Sequence, residues 1–217
     1  MNSEHISLAE KAYILLEEMI VTLKLPPGKV FSEADLSKAI NIGRTPMRES
    51  LQRLAVDRLV TTIPRKGVMV TDVNITEHLA LLETRRVLER LIASKAARRA
   101  HTDHREALRN CGSAMMEAAM EGDASSFMKL DREFDQILRV ASRNAFAAQA
   151  TEPLRAHCRR FWYVYRDNGN NGDLKESAQA HVDLMNAVAD RDEERAAACS
   201  DKLMDYLEQF TRAALDL

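Results

Sequence analysis

The sequence predicts a mostly α-helical protein with a single small β-hairpin near its N-terminal end. Its 217 residues are 46% hydrophobic and 29% charged, with only seven glycines and five prolines. Ala, Leu, Glu, Arg and Met are abundant, and these residues favour helices. Two short β-branched runs on either side of residue 65 interrupt the pattern, and apolar residues at helical spacing follow from residue 76 to the end.

The first 43 residues predict two helices and the turn after them. Apolar residues recur at helical spacing between Ser7 and Leu23, and the Pro-Pro-Gly sequence that follows ends this helix. A second helix is predicted to begin at Ser32, whose side chain is a good N-cap. The tripeptide Asn41–Gly43 then predicts a turn, because Asn and Gly tolerate left-handed backbone.

A third helix is predicted to start with Thr45 as its cap and Pro46 in the first position, where the missing N–H costs nothing. Its predicted buried stripe consists of Met47, Leu51 and Leu54. Two strands follow, at 59–63 and 68–71, and the residues 64–67 between them predict a hairpin tip. The order helix, helix, turn, helix, hairpin is that of a winged helix-turn-helix.

Basic residues concentrate in this part of the chain, although the whole chain has a net charge of −2. Residues 44–66 contain six basic and two acidic side chains. Phosphate contacts from such a patch supply much of the affinity for duplex DNA. In a helix-turn-helix the second helix enters the major groove and its first residues reach base edges. This geometry predicts DNA contacts by Arg44, Thr45, Arg48 and Gln52 on the third helix and by Arg65 and Lys66 on the hairpin.

The segment Ser32–Val70, SEADLSKAINIGRTPMRESLQRLAVDRLVTTIPRKGVMV, closely resembles the winged-helix domain of the GntR family of bacterial regulators. The Arg-Thr-Pro-x-Arg-Glu segment and the Pro-x-x-Gly-Val wing carry the resemblance. Asn41 and Gly43 stand where the family usually has Gly and Ser. The resemblance implies DNA contacts at Arg44, Thr45, Arg48 and the wing-tip Gly67.

From Thr76 onward the sequence predicts helices alone. They are placed near 76–100, 103–121, 124–141, 144–165, 173–190 and 192–216. The predicted domains are therefore a winged helix-turn-helix at 1–72 and an all-α helical bundle at 73–217. Three segments of the bundle carry a second resemblance: LLETRRVLERLIASKAA at 81–97, FMKLDREFDQILRVASRNAF at 127–146 and AHVDLMNAVADRDEERAAA at 180–198. They are similar to the FCD effector domain of the FadR-like branch of the GntR family, which implies that the bundle dimerises and binds a small molecule.

This resemblance also implies a site inside the bundle where, in many members, a divalent metal held by one Asp and three His anchors a carboxylate effector. Asp131 and His181 match two of the ligands, whereas Asp135 and Leu203 stand where the other two would be His. Asp131, Asp135 and His181 could still hold a metal weakly, with open coordination positions. The alternative is a core His bonded to an Asp, and the substitution of half the ligand set favours it, so no cofactor is required.

Arg85 lies on an otherwise apolar helical stripe and is predicted to point inward. A buried guanidinium needs an anionic partner, and either a carboxylate effector or an internal Glu would supply one. The residues predicted to bind the effector are Arg85, Asp131 and His181.

These observations predict a cytoplasmic, homodimeric transcriptional regulator that is not an enzyme. It would repress transcription from double-stranded operator DNA and respond to a small organic acid. No apolar run approaches the ~18 residues of a membrane span, and the first residues lack the pattern of a secretory signal. Two alternatives stay open: a metal-dependent enzyme that uses Asp131, Asp135 and His181, and a constitutive DNA-binding protein whose helical part only dimerises.

Overall fold

The computed structural model describes residues 6–166 and 174–216, and it confirms the predicted fold class. The first part of the chain forms α1 (Leu8–Val21), β1 (Val30–Phe31), α2 (Glu33–Ile40), α3 (Arg44–Val56), β2 (Val60–Ile63) and β3 (Gly67–Val70). This is a helix-turn-helix followed by a hairpin wing, in the predicted order.

The rest of the described chain is helical. It forms α4 (Ile75–Arg99), α5 (Thr102–Glu121), α6 (Ala124–Ser142), α7 (Ala145–Tyr165), α8 (Leu174–Ala189), α9 (Glu193–Ala213) and a final 3-10 turn at Ala214–Asp216. Each helix predicted from residue 76 onward is found, and no helix end is shifted by more than three residues. The residues between the helices predicted to end at 165 and to begin at 173 lie almost entirely outside the described residues. None of the described helices is long and apolar enough to cross a membrane.

The wing is completed by a strand, β1, that was not predicted from the sequence. The three strands form an antiparallel sheet in the order β1-β3-β2, with Val30 opposite Met69 and Val60 opposite Val70. Strand β1 has only two residues, which is too short to show the alternation by which a strand is recognised in a sequence.

The chain forms two compact units, and helix α7 contributes to both. Of the described residues, one unit contains those up to Asn74 together with Ala156–Val164, and the other contains Ile75–Arg155 and those from Tyr165 onward. The first unit has an apolar core of buried side chains, to which Ala156 belongs. The sequence carried no signal that part of α7 would join the winged helix.

Candidate DNA-binding surface and buried charged cluster

Helix α3 has one polar face and one apolar face. The four residues predicted to read DNA from this helix are all exposed: Arg44, Thr45, Arg48 and Gln52. The predicted buried stripe is found as well, and none of its members is more than 5% exposed: Met47, Leu51 and Leu54. The apolar side anchors the helix, so the polar side is free to meet a ligand from solvent.

The start of α3 differs from the prediction. The helix begins at Arg44 with Gly43 as its N-cap residue, so Thr45 is not the cap and Pro46 is not the first helical residue. Asn41 has left-handed backbone as predicted, with φ 52°, whereas Gly43 is extended, with φ −65°. No side chain caps the helix, which leaves its first backbone N–H groups available to an anion such as a phosphate.

Arg48 is held in place by an acidic residue of the preceding helix. Its Nε donates to Glu33 Oε2 at 2.8 Å, and both side chains remain well exposed, at 66% and 42%. An ion pair in such contact with water contributes little to stability. The guanidinium can therefore exchange this carboxylate for a guanine edge at small cost.

The hairpin tip presents two cations on a tight turn. Arg65 and Lys66 are exposed, and the N–H of Lys66 donates to the Ile63 carbonyl at 3.1 Å. Arg65 has a φ of 64°, a conformation that costs an L-residue roughly 1–2 kcal/mol. Gly67, which follows, has a φ of 118°. A Cβ at this position would lie only 2.1 Å from the carbonyl oxygen of Phe31. Gly67 therefore has a structural role in the wing in addition to the DNA contact that the resemblance implied.

The helical unit contains a buried cluster of charged side chains around Glu89. Arg85 donates from Nε to Glu89 at 3.1 Å, so this predicted inward-facing residue is paired with an internal Glu. Arg155 donates to both oxygens of the same carboxylate, at 2.8 and 2.7 Å. Its Nε also lies 3.1 Å from Asp135 Oδ1. Arg155 is 2% exposed, and nothing in the sequence distinguished it from other arginines.

Burial and charge act in opposite directions on the two central carboxylates. Burial would raise the pKa of Glu89, but Arg155 and Arg85 outweigh it and lower that pKa to about 2. Burial raises the pKa of Asp135 to about 6, although Arg155 opposes this effect. Glu89 is thus ionised at neutral pH, and Asp135 is the carboxylate of the cluster that most readily takes up a proton.

His181 points inward as predicted. Its Nδ1 donates to the Ser177 carbonyl at 2.7 Å, and its Nε2 lies 3.2 Å from Asp131 Oδ1. The rings of Phe127 and Phe134 pack edge-on against the imidazole, with centroids 5.9 and 5.4 Å away. These contacts place Asp131 and His181 together.

The structure does not assemble the three metal-ligand candidates into one set. Asp131 lies against His181, whereas Asp135 binds Arg155, whose guanidinium supplies the positive charge beside it. The apolar Leu203 is buried. Within residues 6–166 and 174–216, no three His, Cys, Asp or Glu side chains form a group that could hold a metal ion. These residues do not fit the metal site that the resemblance implied.

Two family models match the chain. Residues 80–206 match the family described as the FCD domain, and residues 8–70 match the family described as bacterial regulatory proteins, gntR family. The first match alone covers more than half of the chain.

Similar proteins are known by sequence and by structure. The chain is 27% identical over 181 residues to the Nta operon transcriptional regulator of Aminobacter aminovorans, which covers 83% of each protein. It is 25% identical over 183 residues to the HTH-type transcriptional repressor RspR of Escherichia coli, covering 84% of this chain and 79% of the repressor. The solved structure of E. coli McbR/YncC has a TM-score of 0.85 at 18% identity, over 97% of this chain and 99% of that one. This last likeness shows a shared fold.

Proposed function

This chain belongs to the GntR family of bacterial regulatory proteins with an FCD domain, and on this premise we propose that it is a cytoplasmic, operator-specific repressor released by a small carboxylate. The exposed polar face of α3, together with the exposed cations of the wing tip, carries the proposal. The related E. coli protein named a repressor supports the sign of regulation. The matched families are regulators, so the chain is not an enzyme.

We assign base readout to α3 and phosphate contacts to the wing. The side chains at the start of α3 can reach base edges in the major groove, where an Arg binds O6 and N7 of guanine with two hydrogen bonds. Arg65 and Lys66 on the wing are suited to phosphates or the neighbouring minor groove. A single winged helix contacts too few bases for genomic specificity, so we propose that two copies bind a near-palindromic site through dimerisation of residues 73–217.

Arg48→Ala is expected to cost ~1–3 kcal/mol on the preferred operator and to relax base preference at one position of each half-site. Lys66→Ala is expected to weaken binding evenly across sequences and to lower the salt dependence, because a phosphate contact carries no sequence information. Both are measured by fluorescence anisotropy on an operator selected from randomised duplexes and on a mixed-sequence duplex.

Arg98→Ala is the matched control, because Arg98 is as exposed as Arg48 and also faces a glutamate, but lies on α4 in the helical unit. It should leave both affinities unchanged. Equal losses for Arg48→Ala on the selected and mixed duplexes would show that Arg48 does not read bases. If the intact protein bound neither duplex, the proposed function would be wrong.

We propose that Arg85, Asp131 and His181 bind the carboxylate effector. Arg85 is a buried guanidinium, and its fork of donors matches a carboxylate. It already shares Glu89 with Arg155, so an incoming anion adds negative charge to the cluster. Proton uptake by Asp135, whose pKa is raised by burial, can offset that charge. A divalent metal is not part of this proposal.

Arg85→Ala is expected to abolish release of operator DNA by the effector while operator affinity stays within about twofold, since α4 lies outside the DNA-reading elements. The effector is first identified by thermal shift with a panel of small mono- and dicarboxylates. The response is then titrated before and after chelation, alongside elemental analysis of the purified protein. One tightly bound transition metal per chain, with the response lost on its removal, would contradict the metal-free site. If no carboxylate released the operator DNA, the result would support the alternative of a constitutive DNA-binding protein whose helical part only dimerises.

A further inference from the structure

The segment Ala156–Val164 of α7 is part of the compact unit that holds the winged helix. Ala156 is 1% exposed and belongs to the core of that unit, and Tyr163 packs against the same core. Arg159 lies 3.4 Å from Glu17 of α1. The winged helix therefore packs against a segment that lies far along the chain, and Arg160 of this segment is 89 residues from Thr71.

Arg160 holds the base of the wing. It is 1% exposed, and its guanidinium donates from Nη1 to Thr71 Oγ1 at 3.0 Å and from Nη2 to the Thr71 carbonyl. Thr71 directly follows β3. Its hydroxyl also lies 2.9 and 3.1 Å from the carbonyls of Arg58 and Leu59, which directly precede β2. Arg160 thus binds the residue that joins the two strands of the hairpin at their base.

The contact between Arg160 and Thr71 is costly to break because Arg160 is buried. Burial lowers the pKa of Arg160 to about 10, against the effect of Asp72, so the side chain is charged at neutral pH. Its Nε is buried and makes no hydrogen bond to the described residues. A buried cation held by a hydroxyl and a carbonyl is costly to keep out of water, so its partners at Thr71 cannot move away without a large loss of free energy.

A second residue of the same segment binds the C-terminal end of α3. His157 Nε2 donates to the carbonyl of Asp57 at 2.8 Å, and Asp57 is the C-cap residue of α3. Burial lowers the pKa of His157, which favours the neutral imidazole with its proton on Nε2. The carboxylate of Asp57 accepts from the hydroxyl of Tyr13 at 2.8 Å, so α1, α3 and α7 meet at this point.

We propose that Ala156–Val164 is a positioning element for DNA binding, in which His157 fixes the end of α3 and Arg160 fixes the base of the wing. Neither residue touches DNA in this arrangement. Arg160 acts through the wing, because Arg65 and Lys66 reach a phosphate only when the hairpin stands at the correct angle to α3. The proposal rests on the assignment of the wing to phosphate contacts.

The test is a double-mutant cycle between Arg160→Met and Lys66→Ala, with binding measured on a mixed-sequence duplex over roughly 50–200 mM salt. In the intact protein, Lys66→Ala should reduce affinity several-fold and lower the salt slope by about one. Arg160→Met should reduce affinity about tenfold and lower the slope by about two, because both wing cations lose their phosphates. In the Arg160→Met background, Lys66→Ala should then change affinity less than about twofold.

Arg86→Met is the matched control. Arg86 is a partly buried arginine of the helical unit that binds Asp205 and Glu208, and its loss should leave the affinity and the salt slope unchanged. If Arg160→Met does not fold, Thr71→Val takes its place in the cycle. This variant removes the hydroxyl that Arg160 binds and keeps a side chain of nearly the same shape.

Circular dichroism shows which of Arg160→Met and Thr71→Val is folded. The proposal would be overturned if the effect of that variant on affinity were additive with the effect of Lys66→Ala and the salt slope did not change. A general loss of stability would lower the active fraction without changing the slope, so the slope separates positioning from a merely structural role. An intact protein that bound no duplex would instead overturn the proposed function.

Discussion

Replacing Glu89 by glutamine is expected to reduce the unfolding free energy of the helical unit by about 3–5 kcal/mol, because two buried guanidinium groups lose the carboxylate between them. The side chains of Arg85 and Arg155 are only 8% and 2% exposed, and both bind this one residue. Glutamine keeps the shape of the side chain but places an N–H₂ group against donors. Urea denaturation followed by circular dichroism measures the loss.

The pH dependence of the same pair of proteins gives an independent check. The pKa of Glu89 is lowered to about 2 in the folded protein, below the ordinary value near 4.5, so its ionised form stabilises the fold above pH ~4.5. That stabilisation is lost as the pH falls towards 2. The difference between Glu89→Gln and the intact protein should therefore be largest at neutral pH and shrink in acid.

Glu83→Gln on the same helix is the control, because Glu83 is exposed and its charge can be lost with a change of about 0.5 kcal/mol or less. A Glu89→Gln protein as stable at neutral pH as the control would mean that the arginines have other adequate partners, and that Glu89 is not the centre of the cluster.

The winged helix was predictable because its signals are local. Ser32 caps α2 and accepts from the N–H of Asp35, as its position before an acidic first turn indicates. Asn41 supplies the left-handed turn. The buried stripe of α3 leaves Arg44 and Arg48 on the exposed side. Each of these features depends on residues within one or two turns of the chain, which is the range over which a sequence pattern specifies structure.

The charged cluster and the segment on which the winged helix rests were not predictable in the same way. The inward direction of Arg85 follows from its helical stripe, but its ion pair with Glu89 does not. Arg155 and Arg160 lie on a helix with many basic residues, and only tertiary packing decides which of them are buried. Their partners Glu89 and Thr71 are 66 and 89 residues away, beyond the reach of any spacing rule.

Gly67 in the wing has a structural role that is separate from the DNA contact predicted for it. The resemblance placed Gly67 among the residues that meet DNA. The structure adds that Gly67 lies where β3 passes the Phe31 carbonyl of β1, with a φ of 118° that L-residues rarely adopt. A Cβ there would lie 2.1 Å from that oxygen and 3.0 Å from the Cα of Ser32. Both of these atoms belong to the backbone, so the clash cannot be relieved by moving a side chain.

Gly67→Ala is therefore expected to destabilise the winged-helix unit by about 3 kcal/mol or more, since backbone strain of roughly 1–3 kcal/mol adds to the clash. Relief of the clash requires β1 to leave β3, and β1 leads directly into α2 through Ser32. Both the wing and the entry to the helix-turn-helix would then be displaced. We expect loss of binding to the selected operator and to the mixed-sequence duplex alike, with the helical content of the other unit retained in circular dichroism.

Gly43→Ser, at a second glycine of the same unit, is expected to change the stability in the opposite direction. Gly43 has ordinary extended backbone and open space around its Cβ position, and a serine there can cap α3, which should stabilise the unit by a few tenths of a kcal/mol. Thermal unfolding of the two variants beside the intact protein measures both effects. A Gly67→Ala protein that melted with the intact one and kept its DNA affinity would show that β1 is not held against β3 in solution, and that the wing does not depend on this contact.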